Sequence, residues 1–346
     1  MTPPVRLYEP AAAEAAMATV SAARATVDGA STRRVAPKDF ELTRPVATGA
    51  ISPGHALPYC WNLPNRELLC TLHDDPAPLF GRPFLYGAQR ATAREVAAVP
   101  FARLDGLFEP HDADARFIFV LSPGRVGSTL LQALLRCAVP RTVSEPDALT
   151  QLVPVRGKWA KDAGLRRSLF WHSVSAFRRT RLADDPPPDP VIVKTRSQVN
   201  GAARELVDTF PASRFVYVTR EPSAWARSTF RAFALPADRA AGRLLQGVRA
   251  AARLVESGAD ALILSYEAIV ADPPAAVASI IGRAVTDAER AAMAATMARD
   301  SQAGTGLSRS RIAGPTADEE AWIAEFDRAW AAIRPAALID RAGLDI

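Results

Sequence analysis

The sequence is poor in cysteine and in long apolar runs, and each shortage excludes a class of protein. Three cysteines, Cys60, Cys70 and Cys137, are too few and too widely spaced for a disulfide framework or a zinc site. No apolar run approaches the roughly 18 residues that a membrane-spanning helix needs. The N-terminus has alanines but no basic start followed by an apolar core, so we expect no secretory signal and a cytoplasmic protein.

Lysine is also scarce, so that almost all of the positive charge is arginine. The 346 residues include 42 lysines and arginines and 37 aspartates and glutamates, which gives a formal net charge of +5. The only lysines are Lys38, Lys158, Lys161 and Lys194. A basic chain can bind nucleic acid, but here the basic residues are dispersed among acidic ones and form no stripe with aromatics. We therefore favour a small anionic ligand and expect no nucleic-acid partner.

One stretch joins a strand pattern to a helix pattern through a tight turn. Residues 117–121 are apolar and rich in β-forming side chains, and leucines at 130, 131, 134 and 135 repeat at helical spacing. In the turn, Gly124 and Gly127 let backbone amides approach a ligand closely. Ser128 and Thr129 add hydroxyls at the helix N-terminus. This pattern predicts a phosphate cradle.

The turn lacks the lysine of a nucleotide triphosphatase loop. The pattern G-x-x-x-x-G-K-[ST] needs glycine at 122 and lysine at 128, where the chain has Ser122 and Ser128. Arg125 is present instead, and we expect it to reach toward the group that leaves the bound phosphate. No predicted strand ends in the apolar run and aspartate that would hold Mg²⁺, so no metal is expected. Taken alone, a turn with two glycines also occurs in proteins that bind no phosphate.

Two segments resemble the sulfotransferases that use 3′-phosphoadenosine-5′-phosphosulfate (PAPS). Pro123-Gly-Arg-Val-Gly-Ser-Thr-Leu-Leu131 resembles their 5′-phosphosulfate loop, with Gly124 inserted and Val126 in place of a small serine. Arg214-Phe-Val-Tyr-Val-Thr-Arg-Glu-Pro-Ser-Ala-Trp-Ala-Arg-Ser-Thr-Phe230 resembles their 3′-phosphate segment, a strand followed by Arg-[Asp/Glu]-Pro and a later serine. Arg220 and Ser228 stand at the places of that arginine and that serine.

The resemblance implies PAPS as the donor, adenosine 3′,5′-bisphosphate as a product, and a role for each matched residue. Arg125 and Lys194 would neutralise charge on the leaving oxygen, and Arg220 with Ser228 would hold the 3′-phosphate. The 5′-phosphate would be held by the loop residues Gly124, Arg125, Val126, Gly127, Ser128 and Thr129. In the polar loop 300–311, Arg309 or Arg311 would close over the 3′-phosphate, unless this is a plain surface loop.

Glu145 is the preferred catalytic base. Residues 141–147 predict a brief strand and a helix that begins near Pro146. In several branches of the family a glutamate at this place is the base. The alternative role for Glu145 is a first-turn carboxylate that complements the helix dipole.

A histidine base is excluded at one family position. Val193-Lys-Thr-Arg196 resembles the Lys-Thr-His element of cytosolic sulfotransferases, in which the histidine is the base. Arg196 stays protonated at neutral pH and cannot take up a proton. The first remaining candidate for a histidine base is His172, and after it come His55, His73 and His111.

From residue 117 onward, strand patterns alternate with helix patterns. This order predicts an α/β fold, a three-layer parallel sheet with helices on both faces, and the resemblance implies the P-loop-like sulfotransferase architecture. Because ligands lie at the carboxyl ends of such strands, we expect Arg125, Glu145, Lys194 and Arg220 to meet at one edge. We assign residues 113–346 to this PAPS-binding core.

Residues 1–112 are expected to form an irregular N-terminal lid or wrapping region. Residues 10–27 are alanine-rich and predict one helix, and residues 91–99 predict a short one. Between them, residues 51–86 carry frequent prolines and aromatics, which disfavour long regular elements. The region either packs on the core or lines the acceptor pocket with its aromatics.

Together these patterns predict a sulfotransferase that moves a sulfuryl group from PAPS to a hydroxyl or amine by in-line displacement. Such chemistry asks for positioning and for cations where charge develops. The acceptor, whether a small molecule, carbohydrate, lipid or peptide, is not identified by the sequence, and neither is the oligomeric state. Three alternatives stay open: a P-loop small-molecule kinase that needs ATP and Mg²⁺, a non-catalytic nucleotide-binding protein of the same fold, and a nucleic-acid binder, which only the basic isoelectric point favours.

Overall fold

The computed structural model describes residues 19–28, 31, 33–46, 51, 53–108, 110–153, 162–180, 190–233, 235–299, 316–344 and 346. The strands in these ranges form two five-stranded sheets. Their bounds are β1 Thr19–Ala25, β2 Phe40–Val46, β3 Ala56–Asn62, β4 Glu67–Leu72, β5 Glu95–Pro100, β6 Phe117–Leu121, β7 Thr142–Ser144, β8 Val191–Lys194, β9 Arg214–Thr219 and β10 Asp260–Ser265.

Helices alternate with the later strands. Their bounds are α1 Ala77–Phe80, α2 Leu85–Thr92, α3 Leu104–Leu107, α4 Ser128–Ala138, α5 Ala148–Leu152, α6 Ala163–His172, α7 Ala176–Arg179, α8 Ala203–Thr209, α9 Pro222–Phe233, α10 Ala237–Glu256, α11 Tyr266–Ala271, α12 Pro273–Ile281, α13 Asp287–Met297, α14 Ala317–Ile333 and α15 Ala336–Arg341. Short 3₁₀ helices cover Pro37–Asp39, Pro53–His55, Phe101–Arg103 and Ser197–Ala202.

The chain divides into two compact units, and each is built from two separate segments. The first unit comprises Met1–Phe117 and Arg141–Ala212, and the second comprises Ile118–Pro140 and Ser213–Ile346. The sequence predicts a different division, with an N-terminal region of residues 1–112 and a core of residues 113–346, and this domain boundary stays a prediction.

The sheet predicted from the alternating pattern is present. Its strand order is β10-β9-β6-β8-β7. Strand β9 pairs in parallel with β10 and with β6, and β7 pairs in parallel with β8. All five residues of β6 are buried, as a continuous apolar run in a parallel sheet requires. The α/β prediction, a parallel sheet flanked by helices, is confirmed.

The prediction of an irregular N-terminal segment is wrong. Strands β1 to β5 form an antiparallel sheet in the order β2-β1-β5-β4-β3. Residues 19–25 and 95–99, which were expected in helices, lie in strands β1 and β5. Each of these two strands pairs with a neighbour on both sides. The helix propensity of alanine is only a weak bias, and such pairing overrides it.

The prolines and aromatics of this region fit a sheet because of where they lie. Strand β3 is an edge strand, and its register against β4 shifts between Pro58 and Cys60. Proline has no N–H to donate, so an edge or a bulge is where a strand accepts it. Tyr59 and Trp61 of the same strand are 1% and 2% exposed. The aromatic residues therefore build the core of this sheet.

A buried ionic cluster of Asp39, Tyr59 and Arg90, with Arg33 at its edge, stabilises the N-terminal sheet. Asp39, fully buried, accepts hydrogen bonds from the Tyr59 hydroxyl at 2.5 Å and from Arg90 Nη2 at 3.1 Å. Arg90 Nε donates to the Tyr59 oxygen at 2.8 Å, and Arg33 binds the other Asp39 oxygen at 2.5 Å. Burial and the hydrogen bond to Asp39 raise the pKa of Tyr59 well above its ordinary value, so this phenol stays neutral.

Replacing Asp39 with alanine should destabilise the protein strongly, because Arg90 would be left buried without its counter-ion. Removing one partner of a buried ion pair costs about 3–5 kcal/mol. The free energy of unfolding in urea measures the loss. The matched control is Asp260→Ala, which removes a carboxylate 2.8 Å from Arg214 with a side chain 57% exposed; such surface pairs contribute about 0–1 kcal/mol. Equal losses in the two variants would contradict the structural role of Asp39.

Candidate functional site

The turn between β6 and α4 has an unusual backbone. Gly124, Arg125 and Gly127 have φ angles of 80°, 61° and 75°, all in the left-handed region. Only glycine adopts this region without strain, and another residue held there costs about 1–3 kcal/mol. Helix α4 begins at Ser128, directly after this turn. The chain is thus folded tightly onto the helix N-terminus, where backbone N–H groups are free for an anion.

Tyr266, the first residue of α11, forms a wall of this turn. A Cβ atom on Gly127 would lie 2.4 Å and 2.5 Å from two carbons of the Tyr266 ring. Position 127 therefore requires glycine both for its backbone angle and for the space beside it. Sequence reasoning missed this contact of Tyr266, because nothing local to Tyr266 indicates contact with a turn so far away in the chain.

Arg220 follows β9, and its guanidinium group lies over the Tyr266 ring. Its guanidinium carbon is 4.6 Å from the Tyr266 ring centroid, and Nη1 donates to the Arg125 carbonyl at 3.3 Å. Its Nε is buried and has no hydrogen-bond partner in the described part of the chain. A buried donor without a partner is costly, so Arg220 presents a group that a bound anion would satisfy.

Arg125 lies close to Arg220. Its Nε donates to Ser228 Oγ at 3.2 Å. Burial lowers the pKa of the Arg125 guanidinium, and the positive charge of Arg220 lowers it further. Among the described residues, no carboxylate pairs with either guanidinium. Two cations without a counter-ion, beside a helix N-terminus, make a site for a negatively charged ligand.

A buried tryptophan fixes the start of the turn. Trp225 of α9 is 1% exposed and donates Nε1–H to the Gly124 carbonyl at 2.7 Å. The Gly124 N–H reaches Ser122 Oγ at 3.3 Å. The second unit therefore brings the predicted phosphate residues together, namely the turn Gly124–Thr129 with Arg220 and Ser228. Arg309 and Arg311 lie outside the described residues.

Glu145 and Lys194 form an ion pair in the first unit. Glu145 follows β7 with a φ of 56°, and its N–H donates to the Lys194 carbonyl at 2.6 Å. Lys194 Nζ donates to Glu145 Oε1. The two side chains are 13% and 4% exposed. Besides Arg125 and Glu145, the only non-glycine residue with positive φ in the described ranges is Arg66, in the turn between β3 and β4.

Arg196 stands between two carboxylates. Its Nη1 is 2.9 Å from Asp147 Oδ1, its Nε is 3.9 Å from Glu145 Oε2, and its guanidinium lies 4.8 Å from the Tyr86 ring centroid. Asp147 Oδ2 accepts the Val35 N–H at 2.7 Å. Burial raises the pKa of Asp147, and Arg196 acts in the opposite direction. Sequence reasoning missed Asp147 and the contact of Arg196 with Tyr86, because these partners lie far from Arg196 along the chain.

The histidines are engaged elsewhere or buried. His172 is 1% exposed, its Nε2 lies 2.9 Å from Asp105 Oδ1, and burial lowers its pKa. His111 Nε2 is hydrogen-bonded to the Thr209 carbonyl at 2.9 Å, and His55 Nδ1 is hydrogen-bonded to the His73 carbonyl at 2.8 Å. Burial lowers the pKa of His73 to about 4. These surroundings favour Glu145 over a histidine as the base, and that assignment stays a prediction.

The predicted residues thus fall into two groups, one in each unit. Arg125 and Arg220 belong to the second unit, and Glu145 and Lys194 belong to the first. The expectation that both groups serve one ligand stays a prediction. Within the described ranges, no cluster of three or more histidine, cysteine, aspartate or glutamate residues could hold a metal ion, and no helix is long and apolar enough to cross a membrane.

The contact between residue 127 and Tyr266 can be tested by adding one methyl group. Gly127→Ala should suffer both left-handed strain, about 1–2 kcal/mol, and overpacking against the ring, about 1–3 kcal/mol. Gly258→Ala is the matched control, because Gly258 has a φ of 71° and nothing within 4 Å of the added Cβ. Unfolding in urea should show a clearly larger loss for Gly127→Ala. If the control lost as much stability, the ring would not restrict position 127.

Comparison with known proteins is consistent with this arrangement. Residues 117–284 match the sequence profile of the sulfotransferase family. The match begins at the first residue of β6 and includes the turn 124–129, Glu145, Lys194 and Arg220. No curated protein matches the sequence.

Three solved structures resemble the chain at low sequence identity. A sulfotransferase from Mycobacterium avium is 14% identical, with 62% of this chain and 76% of that one covered and a TM-score of 0.40. Retinol dehydratase in a complex with retinol and PAP is 16% identical, with coverage of 68% and 83% and a TM-score of 0.37. A sulfotransferase from Mycobacterium tuberculosis is 13% identical, with coverage of 64% and 78% and a TM-score of 0.36. Residues 117–284 are therefore similar to the sulfotransferase family.

Proposed function

We propose that the protein transfers a sulfuryl group from PAPS to a hydroxyl or amine of an acceptor. The observation that carries the proposal is the pair of guanidinium groups of Arg125 and Arg220, which have no carboxylate partner among the described residues and lie at the turn before α4. The match of residues 117–284 to the sulfotransferase family supports sulfuryl transfer in general. The donor, the acceptor and the roles of single residues belong to the proposal.

The second unit fits a donor with two phosphate positions. The amides of the turn and the hydroxyls of Ser128 and Thr129 would hold the 5′-phosphate. Arg220 would hold the 3′-phosphate with its unpartnered Nε–H. Ser228 accepts a hydrogen bond from Arg125, and a serine hydroxyl that accepts one bond still has its own hydrogen to donate to a phosphate oxygen. Arg309 or Arg311 would add a further cation.

The donor supplies a sulfuryl group whose transfer needs no redox step and no metal in this proposal. The acceptor oxygen or nitrogen forms a bond to sulfur, and the bond from sulfur to the 5′-phosphate oxygen breaks. The electron pair of that bond stays on the phosphate oxygen, which gives adenosine 3′,5′-bisphosphate. Arg125 would stabilise the charge that develops there.

Glu145 would take the proton of the acceptor, and Lys194 would assist the leaving oxygen. These roles depend on the places of the two residues in the family motifs. In the structure, Lys194 donates a hydrogen bond to Glu145. Once Glu145 is protonated it loses its negative charge, so Lys194 is released to pair with the new charge on the leaving oxygen. The ion pair thereby links uptake of the proton to stabilisation of the leaving group.

The donor assignment predicts a difference between two nucleotides. Adenosine 3′,5′-bisphosphate at 100 times its dissociation constant should stabilise the fold by about 2.7 kcal/mol, measured by thermal unfolding. AMP at the same concentration should do much less, because a hydrogen bond to a charged group contributes about 1.5–3 kcal/mol and AMP lacks the 3′-phosphate.

The assignment of Arg220 to the 3′-phosphate can be tested in the same assay. Arg220→Met should abolish the difference between the bisphosphate and AMP. Arg243→Met is the control, since Arg243 also stacks on an aromatic ring, 5.3 Å from the Phe233 centroid, in the same unit. Equal stabilisation of the parent by both nucleotides would refute the assignment. Stabilisation by ATP with Mg²⁺ and not by the bisphosphate would point to a kinase.

The base assignment predicts a loss of turnover without loss of binding. Glu145→Gln should slow sulfuryl transfer by about two to four orders of magnitude, the usual contribution of a general base. Glutamine keeps an oxygen that can accept the Lys194 hydrogen bond, so bisphosphate binding should hold. Stability should fall, because buried Lys194 loses its counter-ion, and rates are therefore compared at a temperature where both proteins are folded. Mass spectrometry of a cell extract incubated with the protein and PAPS would identify the sulfated product and compare initial rates. Glu267→Gln, an exposed carboxylate in α11, is the control. A rate for Glu145→Gln within a few-fold of the parent would remove Glu145 from this role.

A further inference from the structure

Tyr217 of β9 buries a hydroxyl group that has no partner. The side chain is 2% exposed, and the hydroxyl makes no hydrogen bond in the described part of the chain. Burial raises the pKa of this phenol, so the hydroxyl keeps its proton and can donate it. A buried polar group without a partner destabilises a fold. Phenylalanine would fill nearly the same space without that loss, so the hydroxyl needs an explanation.

Helix α10 makes room for this hydroxyl at Gly247. A Cβ atom on Gly247 would lie 2.4 Å from the Tyr217 oxygen and 3.1 Å from Pro123 Cβ. Gly247 lies in the middle of a 20-residue helix, where glycine is less favourable than alanine. Stability is thus lost at one point through two residues, Tyr217 by its hydroxyl and Gly247 by its missing side chain.

This point lies at the start of the turn between β6 and α4. Pro123 directly precedes Gly124, and both Pro123 Cβ and the Tyr217 oxygen lie within 3.1 Å of the same position. The turn needs support, because Arg125 holds a φ of 61°, which is strained in a residue with a side chain. Trp225 fixes the Gly124 carbonyl from α9. The Tyr217 hydroxyl is placed to fix the preceding residue from the side of β9.

A small cavity beside Tyr217 has the size of one water molecule. Its volume is about 10 Å³, and a single water needs roughly 10–15 Å³. The lining includes Pro123, Tyr217, Thr219 and the apolar side chains of Leu244, Val248 and Leu344. The Thr219 hydroxyl donates to the Leu264 carbonyl at 3.4 Å, so its oxygen can still accept a hydrogen bond. The cavity therefore combines room for a water with two hydroxyls that can bind it.

We propose that the Tyr217 hydroxyl and one buried water position the phosphate turn, with the water as a bridge from this hydroxyl to the Pro123 carbonyl. The inference depends on the proposed function and extends it, because it adds a positioning residue to the place where the 5′-phosphate binds. Tyr217 does not touch the ligand. Its hydroxyl donates to the water, and the water donates to the Pro123 carbonyl and to Thr219 Oγ1. The start of the turn stays fixed while residues 124–129 enclose the phosphate.

Replacing Tyr217 with phenylalanine removes the hydroxyl and keeps the ring. Tyr217→Phe should raise the dissociation constants of AMP and of adenosine 3′,5′-bisphosphate by the same factor, about fivefold, as expected for one ordinary hydrogen bond. Calorimetry on the full chain, at a temperature where all variants are folded, measures both constants. Arg220→Met should instead weaken the bisphosphate alone, because AMP lacks the 3′-phosphate.

Thr229→Val is the matched control. Thr229 of α9 is also fully buried, and its hydroxyl has no partner in the described ranges, but it is not among the residues that line the cavity. Its replacement should leave both dissociation constants unchanged. Unchanged constants in Tyr217→Phe as well would overturn the positioning role, whatever the stability of that variant.

Alanine at position 247 tests where the hydroxyl lies. In the parent the added Cβ displaces the Tyr217 hydroxyl, so Gly247→Ala should raise both dissociation constants about as much as Tyr217→Phe does. In the Tyr217→Phe background the same alanine should add little. The next nearest atoms to this Cβ belong to Pro123, at 3.1 Å and 3.7 Å, so the ring carbons of residue 217 are no closer than that. Effects that simply add in the double variant would contradict the proposal.

Measurements without nucleotide separate this inference from the proposed function. A hydroxyl that binds a water contributes to stability, so Tyr217→Phe should lower the urea midpoint of the free protein, while Thr229→Val should not. A crystal structure without a water at hydrogen-bond distance from the Tyr217 oxygen would overturn the inference. If neither nucleotide bound to the parent, the donor assignment would fall. The urea midpoints and the crystal structure would then still decide whether Tyr217 holds a water.

Discussion

The repulsion between Arg125 and Arg220 is the constraint on which the candidate site depends. Two guanidinium groups lie close together, and no carboxylate among the described residues compensates them. The fold holds them with neutral contacts instead, the Tyr266 ring and the Arg125 carbonyl for Arg220, and Ser228 for Arg125. A carboxylate would stabilise the protein more, but it would occupy the place that an anion needs. The site is therefore arranged for a ligand that arrives with its own negative charge.

The charged residues of the two candidate groups differ in how they are paired. In the second unit Arg125 and Arg220 have no carboxylate partner among the described residues, while in the first unit Glu145, Lys194, Arg196 and Asp147 compensate one another. The first arrangement suits the binding of a highly charged molecule. The second suits a group that must exchange a proton, because Lys194 and Arg196 lie next to Glu145 and can shift when its charge changes.

Part of this structure could be predicted from local sequence, because the responsible interactions are local. Strand β6 lies where the apolar run predicted a strand, and helix α4 lies where the leucine spacing predicted a helix. Strand β8 also coincides with a predicted strand. The turn between β6 and α4 was predicted from its glycines, and Gly124 and Gly127 do have positive φ. By contrast, β1 and β5 depend on strands far away in the chain, and their alanines suggested helices. The contacts made by Tyr266, Asp147 and Tyr86 were missed for the same reason, since no spacing in the sequence encodes them.

The division of the chain has a consequence for how the protein folds. Each unit is assembled from two segments separated by many residues, and the segments alternate along the sequence. One example is the hydrogen bond from the Val35 N–H to Asp147 Oδ2. It joins the first segment of the first unit to the second segment of the same unit. Native contacts of such long sequence separation slow folding, because the chain must close large loops before it gains the contacts. During synthesis the first unit cannot be completed until residue 212 has left the ribosome, and by then part of the second unit has already emerged and must wait for its remainder.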